Sequence, residues 1–201
     1  MNHAKLYDNF KDKFDCEKLI SQLKKHKGVR RSSDIPTEDT EYGDKAVWRK
    51  TVGDLWKSVG YTELDSVEWW NLYSGEHFDS DFVTQFENLV NADKFMCWVS
   101  SINPGKCVPN HYDIVPEYSK LKDDPKMVRF AFFIDKPETG KVFIIKDQAF
   151  HMCNQGDCYV WNKWDEWHMG MNTSSSIKYI WNFIGLKRKE GGDVLKFRHF
   201  F

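Results

Sequence analysis

The sequence predicts a mainly β protein, an antiparallel sandwich or jelly roll with helices confined to its N-terminal side. Two observations carry this. From Lys94 onward, short apolar runs alternate with turn chemistry at Pro104-Gly105, Pro137-Glu138-Thr139-Gly140, Asn154-Gln155-Gly156-Asp157 and Asn172-Thr173-Ser174-Ser175-Ser176. Before Lys94 the apolar residues instead recur at helical spacing. Several short strands without long helices between them pair antiparallel, as in sandwiches and jelly rolls.

Taken in order, Phe10, Phe14, Leu19, Ile20 and Leu23 predict an amphipathic helix or helix pair within residues 1–28, with Gly28 as its stop. Residues 29–46 are polar and carry Pro36 and Gly43, which reads as an extended connector. A Trp-rich stretch follows, with Trp48, Trp56, Trp69 and Trp70. Asp79-Ser80-Asp81 then precedes Phe82, Val83, Phe86, Leu89 and Val90, predicting a capped helix that ends near Asn91. Apolar runs at 95–102, 128–134, 142–145, 157–161, 167–171 and 177–184 are the expected strands. Residues 1–93 are accordingly expected to form a helical and mixed extension packing on a core of residues 94–201.

Composition narrows the function. Of 201 residues, 41% are hydrophobic and 16% aromatic, with nine Trp and fifteen Phe, enough apolar surface for a sizeable core. Lys+Arg 29 against Asp+Glu 30 leaves a formal net charge of −1, so the basic footprint of a phosphate-backbone binder is absent and nucleic acid is not the expected partner. The charged N-terminus and the lack of any long apolar run predict neither a secretion signal nor a membrane span. Five cysteines form an odd set in a chain too large to need staples, which predicts reduced thiols and a cytoplasmic location.

The sharpest chemical feature is His111-Tyr112-Asp113, just after the turn at Asn103-Pro104-Gly105-Lys106. On a strand, residues i and i+2 face the same way about 6.6 Å apart, so an imidazole and a carboxylate converge on one ion. His168, on a later apolar run, is the third candidate, and two histidines with one carboxylate form a facial triad that leaves open positions on iron. If the polar run Asn172-Thr173-Ser174-Ser175-Ser176 is a hairpin turn centred on Thr173, Lys178 lies opposite His168 and points into the same cavity. A lysine buried there needs an anionic partner, and the distal carboxylate of a dicarboxylic co-substrate would serve. Arg129 interrupts an apolar run and is a second candidate for a carboxylate, by bidentate hydrogen bonding, or else a structural ion pair.

These residues, in this order, resemble the 2-oxoglutarate- and iron(II)-dependent dioxygenases, in particular the aspartyl/asparaginyl β-hydroxylase-like group. The resemblance covers roughly residues 94–185. It rests on His111-Tyr112-Asp113, Arg129-Phe130-Ala131-Phe132, Gly156-Asp157-Cys158-Tyr159-Val160-Trp161 and Trp167-His168-Met169-Gly170-Met171-Asn172, with a basic residue following at Lys178. It implies a double-stranded β-helix core, Fe(II) held by His111, Asp113 and His168, and 2-oxoglutarate held by Lys178 with help from Arg129. It further implies that O2 and 2-oxoglutarate are consumed to hydroxylate an amino-acid side chain, free or in a peptide or protein, with release of succinate and CO2. The sequence departs from the group in having lysine for its usual arginine at 178, Ala131 where an Arg-x-His strand has histidine, and an apparent insertion at 114–127.

Rival readings remain at this point. His77-Phe78-Asp79 repeats the His-x-Asp pattern, but at the start of a predicted helix, where Asp79 reads as an N-cap and His77 as a surface residue. His151, Cys153 and Cys158 would make a zinc site short of one ligand. A cupin-like metal protein that does not use 2-oxoglutarate would leave Lys178 dispensable, and a non-catalytic binding module would bind no iron.

Overall fold

A computed structural model describes residues 4–32, 67–112, 124–163 and 166–188. The connector from 33 onward, Trp48, Trp56, Asp113 and the insertion as far as 123, Trp164 and the tail from 189 lie outside the described residues. The described chain runs β1 (Lys5–Asn9), α1 (Cys16–Leu23), β2 (Val29–Ser32), β3 (Glu68–Leu72), α2 (Asp81–Val90), β4 (Ala92–Ile102), β5 (Lys106–His111), β6 (Met127–Phe133), β7 (Lys141–Ile145), β8 (Gln148–His151), β9 (Asp157–Trp161), β10 (His168–Asn172) and β11 (Lys178–Lys187).

Two antiparallel sheets form the body. The larger has the order β1-β9-β6-β11-β4-β3-β2 and the smaller β5-β10-β7-β8. Apart from the β7–β8 hairpin, successive strands from β4 onward alternate between the sheets in the manner of a jelly roll, so the short polar turns read from the sequence are mostly crossovers from one sheet to the other. Residues before 93 also enter the large sheet: β1 pairs with β9, and β3 with β4.

Period-two alternation in β6 and β11 separates two cores. Phe130, Phe132, Tyr179, Trp181 and Phe183 point outward beneath the helices and meet Phe10, Phe14, Phe82 and Phe86. Phe86 stacks on Trp181 with ring centroids 5.2 Å apart and planes at 20°. Ala131, Phe133 and Ile180 point inward and pack with Phe143, Ile145, Phe150 and Trp161 between the sheets.

Both helices arise from the apolar spacing the sequence carries. Cys16, Leu19, Ile20 and Leu23 of α1 are buried, and the Asp15 side chain accepts the Lys18 N–H at 2.9 Å as an N-cap. α2 buries Phe82, Val83, Phe86 and Val90 and stops at Asn91, which adopts the left-handed conformation (φ 50°, ψ 46°).

Two N-terminal expectations are revised. The helix expected within 1–28 is confined to α1, because residues 5–9 pair with β9 and Phe10 to Phe14 close only a turn that delivers both rings to the aromatic core. Pairing with a ready strand edge overrides helical spacing over so short a stretch. Asp79 does not cap α2: its carboxylate accepts from Gln22 Nε2 at 2.6 Å and its N–H donates to Gln22 Oε1 at 2.9 Å, tying α1 to α2.

Candidate active site

His111 ends β5 and His168 begins β10, and the two are direct cross-strand partners in the small sheet. Their rings lie 4.3 Å apart between centroids, and both residues are buried. Each Nδ1 meets the carbonyl two residues upstream, His111 that of Pro109 at 2.8 Å and His168 that of Glu166 at 2.9 Å. A carbonyl can only accept, so in each ring the proton sits on Nδ1 and the Nε2 lone pair is the coordinating one. Backbone carbonyls fixing Nδ1–H in this way are the usual outer support of a metal-ligating histidine. The donor chemistry therefore suits an iron(II) held by two imidazoles. Asp113, the carboxylate of the expected triad, lies outside the described residues, and among the described residues no three of His, Cys, Asp and Glu cluster as a metal site.

Lys178 reaches the same cavity by a route other than the expected hairpin. β10 and β11 belong to different sheets; His168 pairs with His111 and Ile145, whereas Lys178 pairs with Ile102. The chain between them crosses from sheet to sheet, so the two side chains approach face to face across the interior. Asn172 shapes this crossover, donating to Ile102 O at 2.7 Å and Ser176 O at 2.8 Å while accepting from Ser174 N–H at 3.1 Å. Lys178 is 1% exposed, and its Nζ donates to Val142 O on the opposite sheet.

Phe143 of β7 connects the two halves of the cavity. Its ring centroid is 6.2 Å from that of His168 and 5.8 Å from Lys178 Nζ. Gly170, on the inward face of β10 between His168 and Asn172, gives the ammonium its room: a Cβ there would lie 3.1 Å from Ile102 Cδ1 and 3.6 Å from Lys178 Nζ. If Lys178 has the co-substrate role that the resemblance implies, Gly170→Val should push the ammonium aside and weaken 2-oxoglutarate binding about tenfold, corresponding to about 1.4 kcal/mol, with thermal stability as the control; unchanged binding would remove Lys178 from that role.

Arg129 lies on the inward face of β6, 2% exposed, with its guanidinium carbon 5.0 Å from the Trp161 ring centroid. Trp161 in turn lies 6.3 Å from His168, so the second cation approaches the histidines through Trp161 while Lys178 approaches them through Phe143. Tyr112 and Trp167 meet edge to face at 5.0 Å beside the histidines.

Both rival clusters come apart. His77 is buried and its Nδ1 accepts the Tyr73 N–H at 3.1 Å, while Asp79 is held by Gln22. Cys158 packs into the helix-covered core, Cys153 against the inter-sheet core, and His151 is exposed, so no zinc set forms from them.

Sequence reasoning missed one buried pair beside Lys178. Asp135 Oδ2 accepts the Tyr179 N–H at 2.7 Å and lies 3.3 Å from Lys141 Nζ. Its signal was a carboxylate placed directly after eight consecutive buried residues, those of β6 and Ile134.

No family model matches the sequence, and no curated protein matches it. Solved structures do. The viral collagen prolyl hydroxylase of Paramecium bursaria Chlorella virus-1, in its 2OG complex, aligns over 91% of this chain and 96% of its own, with a TM-score of 0.51 and 16% identity. The fold is a double-stranded β-helix. A Pseudomonas putida prolyl-4-hydroxylase aligns over 87% of this chain and 100% of its own at a lower TM-score of 0.39 and 11% identity. This double-stranded β-helix, like the jelly roll the sequence predicts, encloses its polar residues between two sheets.

Proposed function

We propose that this protein is a 2-oxoglutarate- and iron(II)-dependent oxygenase that hydroxylates an amino-acid side chain, free or within a peptide or protein, and releases succinate and CO2. One observation carries the reading. A lysine buried to 1% exposure, whose Nζ donates to the Val142 carbonyl and makes no ion pair among the described residues, lies 5.8 Å from the Phe143 ring, which in turn borders His168, one of two imidazoles that both present Nε2. Burying an ammonium without a carboxylate costs several kcal/mol, which an anionic ligand offsets. The viral enzyme of the same fold, described as a 2OG complex, makes that co-substrate the natural anion.

In this reading His111, His168 and Asp113 hold the iron, Lys178 takes the distal carboxylate of 2-oxoglutarate, and Arg129 takes a carboxylate at the metal end. Iron with 2-oxoglutarate and O2 supplies the oxidising power for inserting oxygen into a C–H bond. The chain's own residues do the rest. The Pro109 and Glu166 carbonyls fix the imidazole orientation, Phe143 spaces the co-substrate between its two anchors, and Trp161 and Phe143 keep bulk water from the cavity. We assign the protein to the cytoplasm on its unpaired cysteines; among the described residues no helix is long and apolar enough to cross a membrane. Prolyl hydroxylation is the activity named for the viral enzyme of the same fold, and aspartyl or asparaginyl hydroxylation is the class the motifs resemble; both keep an amino-acid side chain as substrate.

The test is an anaerobic titration of the iron(II)-loaded protein with 2-oxoglutarate, followed by the weak visible charge-transfer band of the chelate. A band that saturates in the wild type and is missing in His168→Ala supports the assignment. Tight iron binding without a band would favour a cupin-like metal protein, and no iron binding would leave a binding module.

A further inference from the structure

β11 continues beyond the end of its partner β6. The ladder between them stops at Ile180 and Phe133, so Tyr179 has no main-chain acceptor on that side. The Asp135 carboxylate stands in for the missing strand by accepting the Tyr179 N–H at 2.7 Å, beside the peptide that carries Lys178. The same oxygen lies 3.3 Å from Lys141 Nζ, with both side chains about nine-tenths buried. Lys141 is followed by Val142, whose carbonyl receives Lys178 Nζ. The segments 141–142 and 178–179, from opposite sheets, are thus joined by a side chain running each way.

Both carboxylates of this knot pair with Lys141 rather than with Lys178. Asp135 lies against Lys141 from the inner side, and Glu138 lies on the other side of Lys141 at 3.4 Å. Glu138 is held there by Ser175 and Ser176. Among the described residues the Lys178 ammonium thus has no carboxylate in direct contact, only the charge of Asp135 nearby.

Resting on the oxygenase reading above, we propose that Asp135 is a positioning residue for the co-substrate: through the Tyr179 N–H and Lys141 it holds the Lys178 ammonium between the sheets and keeps it charged to receive a carboxylate. Burial pushes Lys178 down to about 7, and the charge of Asp135 opposes that fall while Lys141 adds to it. Burial likewise raises Asp135 to about 6 against the pull of Lys141. The other groups facing the pair stay neutral across this range, since burial raises the Cys153 thiol to about 11 and the Cys16 thiol of α1 to about 12, and raises the Tyr179 phenol as well.

A carboxylate bound at Lys178 raises that lysine's affinity for its proton. Binding is therefore at full strength below the ligand-free value and weakens as pH rises through it, by up to about tenfold per pH unit for one proton. The experiment is calorimetry of 2-oxoglutarate binding to the anaerobic iron(II)-loaded protein between pH 6 and 9, in two buffers of different ionisation enthalpy so that proton uptake is counted. Asp135→Asn keeps an acceptor for the Tyr179 N–H and removes the charge. Its break in affinity should move to lower pH by about one unit, giving binding about tenfold weaker than wild type at pH 8 and within about twofold at pH 6. Asp135→Glu keeps the charge and should hold the break close to its wild-type position. A loss confined to high pH in the asparagine variant and rescued by glutamate is not produced by loosened packing. A uniform loss at every pH in both variants, or a break in Asp135→Asn that stays where the wild type has it, overturns the proposal for Asp135 alone; wild-type protein that binds iron but no 2-oxoglutarate at any pH overturns the oxygenase reading with it.

Discussion

Replacing His168 with alanine should lower iron(II)-dependent succinate formation by at least about a thousandfold, roughly 4 kcal/mol of transition-state stabilisation. The size follows from what His168 contributes. It is one of two imidazoles facing each other at 4.3 Å, each with Nδ1 already bound to a backbone carbonyl and Nε2 left to coordinate. His111→Ala should behave alike, because a ligand set missing either ring holds iron weakly whatever the other does. His77→Ala is the control. His77 belongs to the second His-x-Asp, but its Nδ1 serves the Tyr73 N–H, so the variant should keep wild-type turnover per folded molecule. Succinate formation measured at fixed iron and 2-oxoglutarate distinguishes the three; loss in His77→Ala with activity retained in His168→Ala would transfer the metal site to the N-terminal motif.

Lys178→Met should raise the dissociation constant for 2-oxoglutarate at least about thirtyfold, since removing one partner of a buried charge pair costs about 2–5 kcal/mol. The same variant should be more stable than wild type without ligand. Lys178 titrates at about 7 in the folded protein against an ordinary value of 10.5, so folding is penalised wherever the unfolded chain holds that proton more tightly. The stability gained by methionine should accordingly be small above pH 10.5 and grow as pH falls toward 7. Thermal melts across that range, paired with binding isotherms, test both halves. A residue that weakens the fold and tightens the ligand is retained for the ligand, whereas a variant that binds 2-oxoglutarate like wild type would move the distal carboxylate to Arg129.

Much of the fold was legible because strand alternation and turn chemistry are local. The runs at 128–134, 157–161 and 177–184 appear within one to three residues as β6, β9 and β11, and α2 ends at Asn91 as its composition predicts. β1, β2 and β3 were not legible. Their apolar residues are few, and what makes them strands is the edge of a sheet built largely from later parts of the chain. The site divides in the same way. His111, His168, Lys178 and Arg129 stood out as chemistry-bearing residues in apolar strands, and the structure brings all four to the space between the sheets. Asp135, although it directly follows a buried run, and Lys141 did not stand out, because a charged residue at a strand end beside turn residues reads as solvated, and their significance arises only where two sheets meet.

By itself, then, the sequence determined which residues are strands with an inward face and which inward positions carry imidazole, ammonium or guanidinium groups, since both follow from period-two alternation within a few residues. The tertiary structure decided how those positions meet. The turn at Asn172 to Ser176 reads from the sequence as a hairpin within one sheet, and the packing of the second half of the chain makes it a crossover between two. That choice places Lys178 on the sheet opposite His168 rather than beside it on the same one, with the Phe143 ring between them.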